Sequence, residues 1–146
     1  MSVSYDHIAC CIDESDASRL ALSHAAAVRD LTGGRLSVVH VLAPPAFLVS
    51  MAASLGGAPV HDPVVEREAA QMWLTEEAGS VGGEAVLLEG HPASAAVDWA
   101  REAGVDALVA ASHRGLVERA LLGSFAGYLA HHAHCPVLLI PPPRDD

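Results

Sequence analysis

The chain has 146 residues, of which 51% are apolar and only 4% aromatic, with a mean hydropathy of +0.32; this suits one domain, residues 1–146, built on one core of aliphatic side chains, and excludes disorder as the dominant state. The formal net charge is −10, so the chain repels a phosphate backbone, which argues against a nucleic-acid partner. All eight basic residues are Arg, and with no Lys present a catalytic lysine, a Schiff base and a Walker lysine are excluded.

The N-terminus lacks a basic segment followed by an apolar one, and no apolar run is long enough to span a bilayer, so the expectation is a cytoplasmic protein with no membrane partner. Residues 7–12 form the first apolar run and read as a strand. Cys10 and Cys11 lie within it, and neighbours on a strand face opposite ways, so with Cys135 they read as reduced core thiols rather than a disulfide framework. A helix follows over residues 16–31, with Ser15 as its N-cap and Gly33 as its stop. Residues 36–41 form the second strand. The connection over residues 42–61 is long, yet it carries Phe47, Leu48, Val49 and Met51. It is either a flexible excursion with a short helical turn, or a lid or oligomer contact.

Asp62 followed by Pro63 starts the next helix, which ends near Gly79. Residues 85–88 are the third strand. Pro92 opens a helix that carries Val97 and Trp99 and stops at Gly104. Residues 107–110 are the fourth strand, a helix runs from about Gly123 to His132, and residues 136–140 are the fifth strand, closed by Pro141 to Pro143. Strands alternating with helices in this way predict right-handed crossovers and a mostly parallel α/β sheet.

Ligands of such sheets bind beyond the carboxyl ends of the strands, where the strand order reverses. Two strand ends carry polar turn residues: Asp13-Glu14-Ser15, and Ser112-His113-Arg114-Gly115 with Gly123-Ser124 beyond. At Gly123-Ser124 a helix start offers backbone N–H groups, a partial positive charge and a hydroxyl to a phosphate; the plainer reading is a Ser cap after a Gly. Asp13 either accepts from a nucleotide or caps the first helix. Arg114 and Arg119 either meet phosphates or are solvated charges. His131, His132, His134 and Cys135 read as a helix end rather than a metal site, because His131 and His134 share a face, His132 does not, and no second ligand cluster accompanies them. No acid/base pair stands out for catalysis.

Taken together, these residues resemble the universal stress protein family over nearly the whole chain. The resemblance rests on Asp13 with Ser15 and Ser18, His40-Val41, Gly90-His91-Pro92, Asp106-Ala107-Leu108-Val109, Leu121-Leu122-Gly123-Ser124, and most specifically the block from Cys135 to Ile140. It implies an open five-stranded parallel sheet of order 3-2-1-4-5 with helices on both faces, Rossmann-like, often dimeric through the last strand. It also implies ATP or another adenine nucleotide at the switch point, with Mg²⁺ as a companion. Asp13 would then meet the adenine end, Val41 would offer main-chain groups to the base, and Gly123 and Ser124 would hold phosphates. Members that bind ATP carry Gly-x-x-Gly, nine residues, then Gly-Ser or Gly-Thr. Here Ala111 stands at the first Gly and one residue is missing from the turn, so that His113 falls at the second; Ser112 and Arg114 complete the altered loop, and Gly115 is left to supply the turn. The resemblance therefore implies a nucleotide-responsive regulatory protein with weakened binding and at most slow hydrolysis or autophosphorylation. The alternative is a dimeric interaction protein with a vestigial site.

Overall fold

The computed structural model describes residues 1–44, 50, 53–57, 62–112 and 122–143. Its strands are β1 (His7–Cys11), β2 (Arg35–Leu42), β3 (Glu84–Glu89), β4 (Ala107–Ala111) and β5 (Val137–Ile140). The helices between them are α1 (Asp16–Thr32), α2 (Pro63–Ser80), α3 (Pro92–Glu102) and α4 (Ser124–His132). The sheet is wholly parallel in the order β3-β2-β1-β4-β5, the order the family resemblance implies. Among the described residues no helix is long and apolar enough to cross a membrane.

Element ends follow the local chemistry. Ser15 caps α1 by accepting the Ser18 N–H at 3.2 Å, and Gly33 closes it in the left-handed region at φ 73°, donating to the Arg29 carbonyl. Asp62 caps α2 by accepting the Val64 N–H at 3.0 Å, with Pro63 in the first turn. β2 and β3 reach one or two residues further at their ends than their apolar runs, because the polar residues Arg35, Glu84 and Glu89 still pair with neighbouring strands. β5 begins after Pro136, which lacks an N–H, although the Pro136 carbonyl accepts from the Leu108 N–H at 2.9 Å.

The small aliphatic residues build two cores, one on each face of the sheet. Ala21, Leu22 and Ala25 of α1 and Leu74 and Ala78 of α2 pack on Ile8, Cys10 and Val38. Ala96, Val97 and Ala100 of α3 and Leu129 of α4 pack on Ala9, Cys11, Val39 and Leu108. Cys10 and Cys11 thus point to opposite faces as the strand period requires, and the three cysteines are free thiols. Of the connection after β2, residues 43–44, 50 and 53–57 are described; Phe47, Leu48, Val49, Met51 and His61 lie outside the described residues.

At the amino end of the sheet, His7 is buried to 4% exposure. Its Nδ1 lies 3.0 Å from an Arg35 guanidinium nitrogen and its Nε2 lies 2.7 Å from Ser37 Oγ. Guanidinium only donates, so Nδ1 is the acceptor and the proton sits on Nε2. Trp99 closes the ring edge at 6.1 Å. Burial, and then the Arg35 charge, push the His7 pKa below 6.5, against the raising effects of the Ala103 main chain and the Asp106 and Glu84 carboxylates. A base whose folded pKa is depressed leaves the unfolded chain holding more protons, so its stabilisation is complete above pH 6.5 and is lost as pH falls below that value. Urea melts are expected to show a steeper loss of stability from pH 7.5 to 5.0 in the native protein than in His7→Gln. Equal slopes would remove His7 from the acid response.

Candidate functional site

A cavity of about 520 Å³ opens at the carboxyl end of the sheet. Among the described residues, five pieces of chain and Ser18 of α1 form its walls. Cys11, Ile12 and Asp13 continue β1; Val39, His40 and Val41 come from β2; His91, Pro92 and Ala93 come from the start of α3. Ala110, Ala111 and Ser112 end β4, and Gly123, Ser124, Phe125, Ala126 and Tyr128 form the start of α4. The cavity therefore sits at the switch point between β1 and β4, where chains leave the sheet toward opposite faces.

Asp13 lines this cavity and also organises the start of α1. Its Oδ1 accepts from the Ser15 N–H at 2.9 Å, from Ser18 Oγ at 2.8 Å and from the Ser15 hydroxyl. Ser18 Oγ lies 3.0 Å from the Asp13 N–H, for which it is the acceptor. The cap of α1 is therefore Ser15 and not Asp13; Asp13 braces that cap from outside the helix while also lining the cavity.

Val41 owes its position to strand alternation. The Val39 carbonyl faces β1, where it accepts the Ile12 N–H at 2.8 Å, and the Leu42 carbonyl faces β3, where it accepts the Gly90 N–H at 3.0 Å. Successive residues of a strand send their main-chain groups to alternate neighbours. Val41 therefore directs its N–H and C=O to the β1 side, one step past the last rung that β1 supplies.

The start of α4 has a glycine N-cap with no side-chain cap bond, so no side chain of the capping residue competes for the first N–H groups of the helix. The Gly123 N–H donates to the Ser112 carbonyl at 3.0 Å, and the Ser112 N–H donates to the Ile140 carbonyl at 2.8 Å. The first bond ties the end of β4 to the start of α4, and the second ties it to the end of β5. The first-turn N–H groups that a helix leaves without an intrahelical partner are here those of Ser124, Phe125 and Ala126, while that of Gly123 is bonded to Ser112. His113, Arg114 and Gly115, and also Arg119, lie outside the described residues. Of the sequence-level candidates, Asp13, Val41, Ala111, Ser112, Gly123 and Ser124 are brought together on one cavity.

The chemistry of the lining is mild. Asp13 is the one carboxylate among the described lining residues, and His40 and His91 supply two imidazoles. Burial, with Cys135 as a second cause, pushes the Cys11 thiol up to about 12, so it stays protonated and is a poor nucleophile. Phe125 and Tyr128 supply an aromatic wall that the sequence reading passed over. Their signal was their place in the first two turns of α4, three residues apart and hence on one face. His134, by contrast, is spent on structure: its Nε2 lies 2.9 Å from the Val105 carbonyl.

Residues 4–141 match the model of the universal stress protein family. A universal stress protein of Methanothermobacter thermautotrophicus is 38% identical over 61 residues, a stretch that spans 42% of this chain and 42% of that protein. Among solved structures, a universal stress protein in complex with cAMP superimposes with a TM-score of 0.66 at 23% identity, over 94% of this chain and 97% of that one. A universal stress protein from Archaeoglobus fulgidus in complex with dAMP gives 0.63 at 23% identity, over 93% and 98%.

Proposed function

Because the chain belongs to the universal stress protein family, we propose that it is a cytoplasmic, adenine-nucleotide-binding regulatory protein of the stress response, with the cavity between β1 and β4 as its ligand site. The observation that carries this reading is the convergence on one cavity of a main chain turned outward at Val41, a carboxylate at Asp13 and a helix start at Ser124. Adenine fits the Val41 end, where an N–H and a C=O from one residue match its paired acceptor and donor edge, with Asp13 beside it. Phosphates fit the α4 end, where N–H groups and the helix dipole favour an anion. The ligand is ATP or another adenine nucleotide, such as the cAMP and dAMP of the two related structures. The altered upstream half of the loop, from Ala111 through Ser112, His113 and Arg114 to Gly115, and the commitment of the Gly123 N–H to Ser112, both support weakened affinity. With no lysine in the chain, Mg²⁺ would help to offset the charge of a triphosphate.

Titration calorimetry with ATP, AMP and cAMP, with and without Mg²⁺, tests the reading. Saturable binding in the micromolar to high micromolar range is expected. No heat and no shift in melting temperature at millimolar nucleotide would overturn it in favour of a dimeric interaction protein, the reading that the altered loop favours. In both readings we propose a homodimer through β5, an edge strand whose Leu138 is 43% exposed. Light scattering is expected to give a dimer for the native protein and a monomer for Leu138→Asp. A native monomer at high micromolar concentration would refute it.

A further inference from the structure

β1 and β2 part within one residue at the mouth of the cavity. The Ile12 N–H donates to the Val39 carbonyl at 2.8 Å. In a parallel ladder the next rung would run from the Val41 N–H to the Ile12 carbonyl. That carbonyl is taken instead by the His40 ring, whose Nδ1 lies 2.8 Å away. A carbonyl oxygen only accepts, so Nδ1 carries the proton. Trp73 of α2 holds the ring from its edge, with centroids 5.0 Å apart and planes at 81°. Ile12 itself is 7% exposed, so its carbonyl has little recourse to water.

We propose that His40 is a positioning residue of the nucleotide site: its Nδ1–H stands in for the Val41 N–H on the Ile12 carbonyl and so keeps the Val41 main chain available to a ligand. This rests on the nucleotide reading above. With the imidazole donor removed, the Ile12 carbonyl becomes a buried acceptor in need of a partner. The nearest replacement along the ladder is the Val41 N–H. The two strands then close by one rung, the N–H is withdrawn from the cavity, and Asp13, one residue beyond Ile12, moves with it. His40 acts through the main chain and does not touch the nucleotide.

Three variants separate this role from simple packing. His40→Leu removes the donor, His40→Asn places an amide N–H at the same distance from the backbone as Nδ1, and His40→Gln places it one bond too far. Two readouts are needed: AMP affinity by calorimetry, and hydrogen exchange of the Val41 amide in the ligand-free protein, with thermal melts confirming that each variant is folded. His40→Leu and His40→Gln are expected to weaken AMP binding roughly tenfold, as the loss of one well-placed hydrogen bond would, and to slow exchange at Val41 as its N–H joins the ladder. His40→Asn is expected to recover most of both effects. Unchanged Val41 exchange in a folded His40→Leu protein would overturn the proposal, as would equal affinities for the Asn and Leu variants. Should the native protein bind no nucleotide, the function proposed above fails, while the exchange measurement still decides what His40 does.

Discussion

Gly123→Val is expected to weaken ATP binding ten- to a hundredfold while leaving the melting temperature nearly unchanged. Gly123 has φ −57° and ψ 155°, a conformation open to any residue and comfortable for a β-branched one. Its two main-chain bonds, from its own N–H to Ser112 and from the Gly127 N–H to its carbonyl, do not depend on the lack of a side chain. The added isopropyl group would stand beside the first N–H groups of α4, in the space a phosphate needs. Losing contacts of this kind to a charged group costs about 1–3 kcal/mol, which is roughly a ten- to hundredfold change in affinity. Calorimetry with the native and variant proteins measures it. An unchanged affinity would move the phosphates away from α4 altogether.

The largest effect on stability is expected at Gly34. A Cβ there would lie 2.5 Å from the Tyr5 carbonyl oxygen and 2.8 Å from that of Asp6. Both are main-chain atoms, and the Asp6 carbonyl is also the acceptor for the Arg35 N–H at 2.9 Å, so the segment cannot move without giving up the start of the β1–β2 pairing. Gly34→Ala is therefore expected to cost about 2–4 kcal/mol. At the adjacent Gly33 the requirement is conformational, since a Cβ would meet nothing within 4 Å. Gly33→Ala pays only for a left-handed alanine, about 1 kcal/mol. Urea denaturation of the two variants distinguishes crowding from torsion; equal losses would refute the crowding at Gly34.

This pair also illustrates what the chain discloses before its structure is known. Gly33 was legible, because a helix pattern ending on glycine is a local event. Gly34 was not, because its obstacle is the segment before β1, nearly thirty residues earlier. The same division holds at the candidate site, where only the shared cavity is shown. Asp13 and Gly123-Ser124 could be found from strand ends and a helix start. The outward turn of Val41 depends on the residue at which β1 stops supplying partners, and the bond from His40 to Ile12 joins two strands whose pairing is non-local. The five strands and the helix caps needed only short apolar runs and well-placed Ser, Asp, Pro and Gly. The sheet order is different: no local pattern encodes it, and it came from the resemblance.

The bond from the Gly123 N–H to the Ser112 carbonyl has an evolutionary corollary. It closes a ring of ten residues, 113–122, whose two ends are anchored to β4 and α4. The entropy of closing such a ring varies only slowly with its length, so gaining or losing one residue costs about 0.1 kcal/mol. If that loop meets phosphate as proposed, a lineage can rewrite it by deletion as well as by substitution with little loss of stability. Ligand preference in such a scaffold is free to drift from one descendant to the next while the sheet beneath is inherited intact.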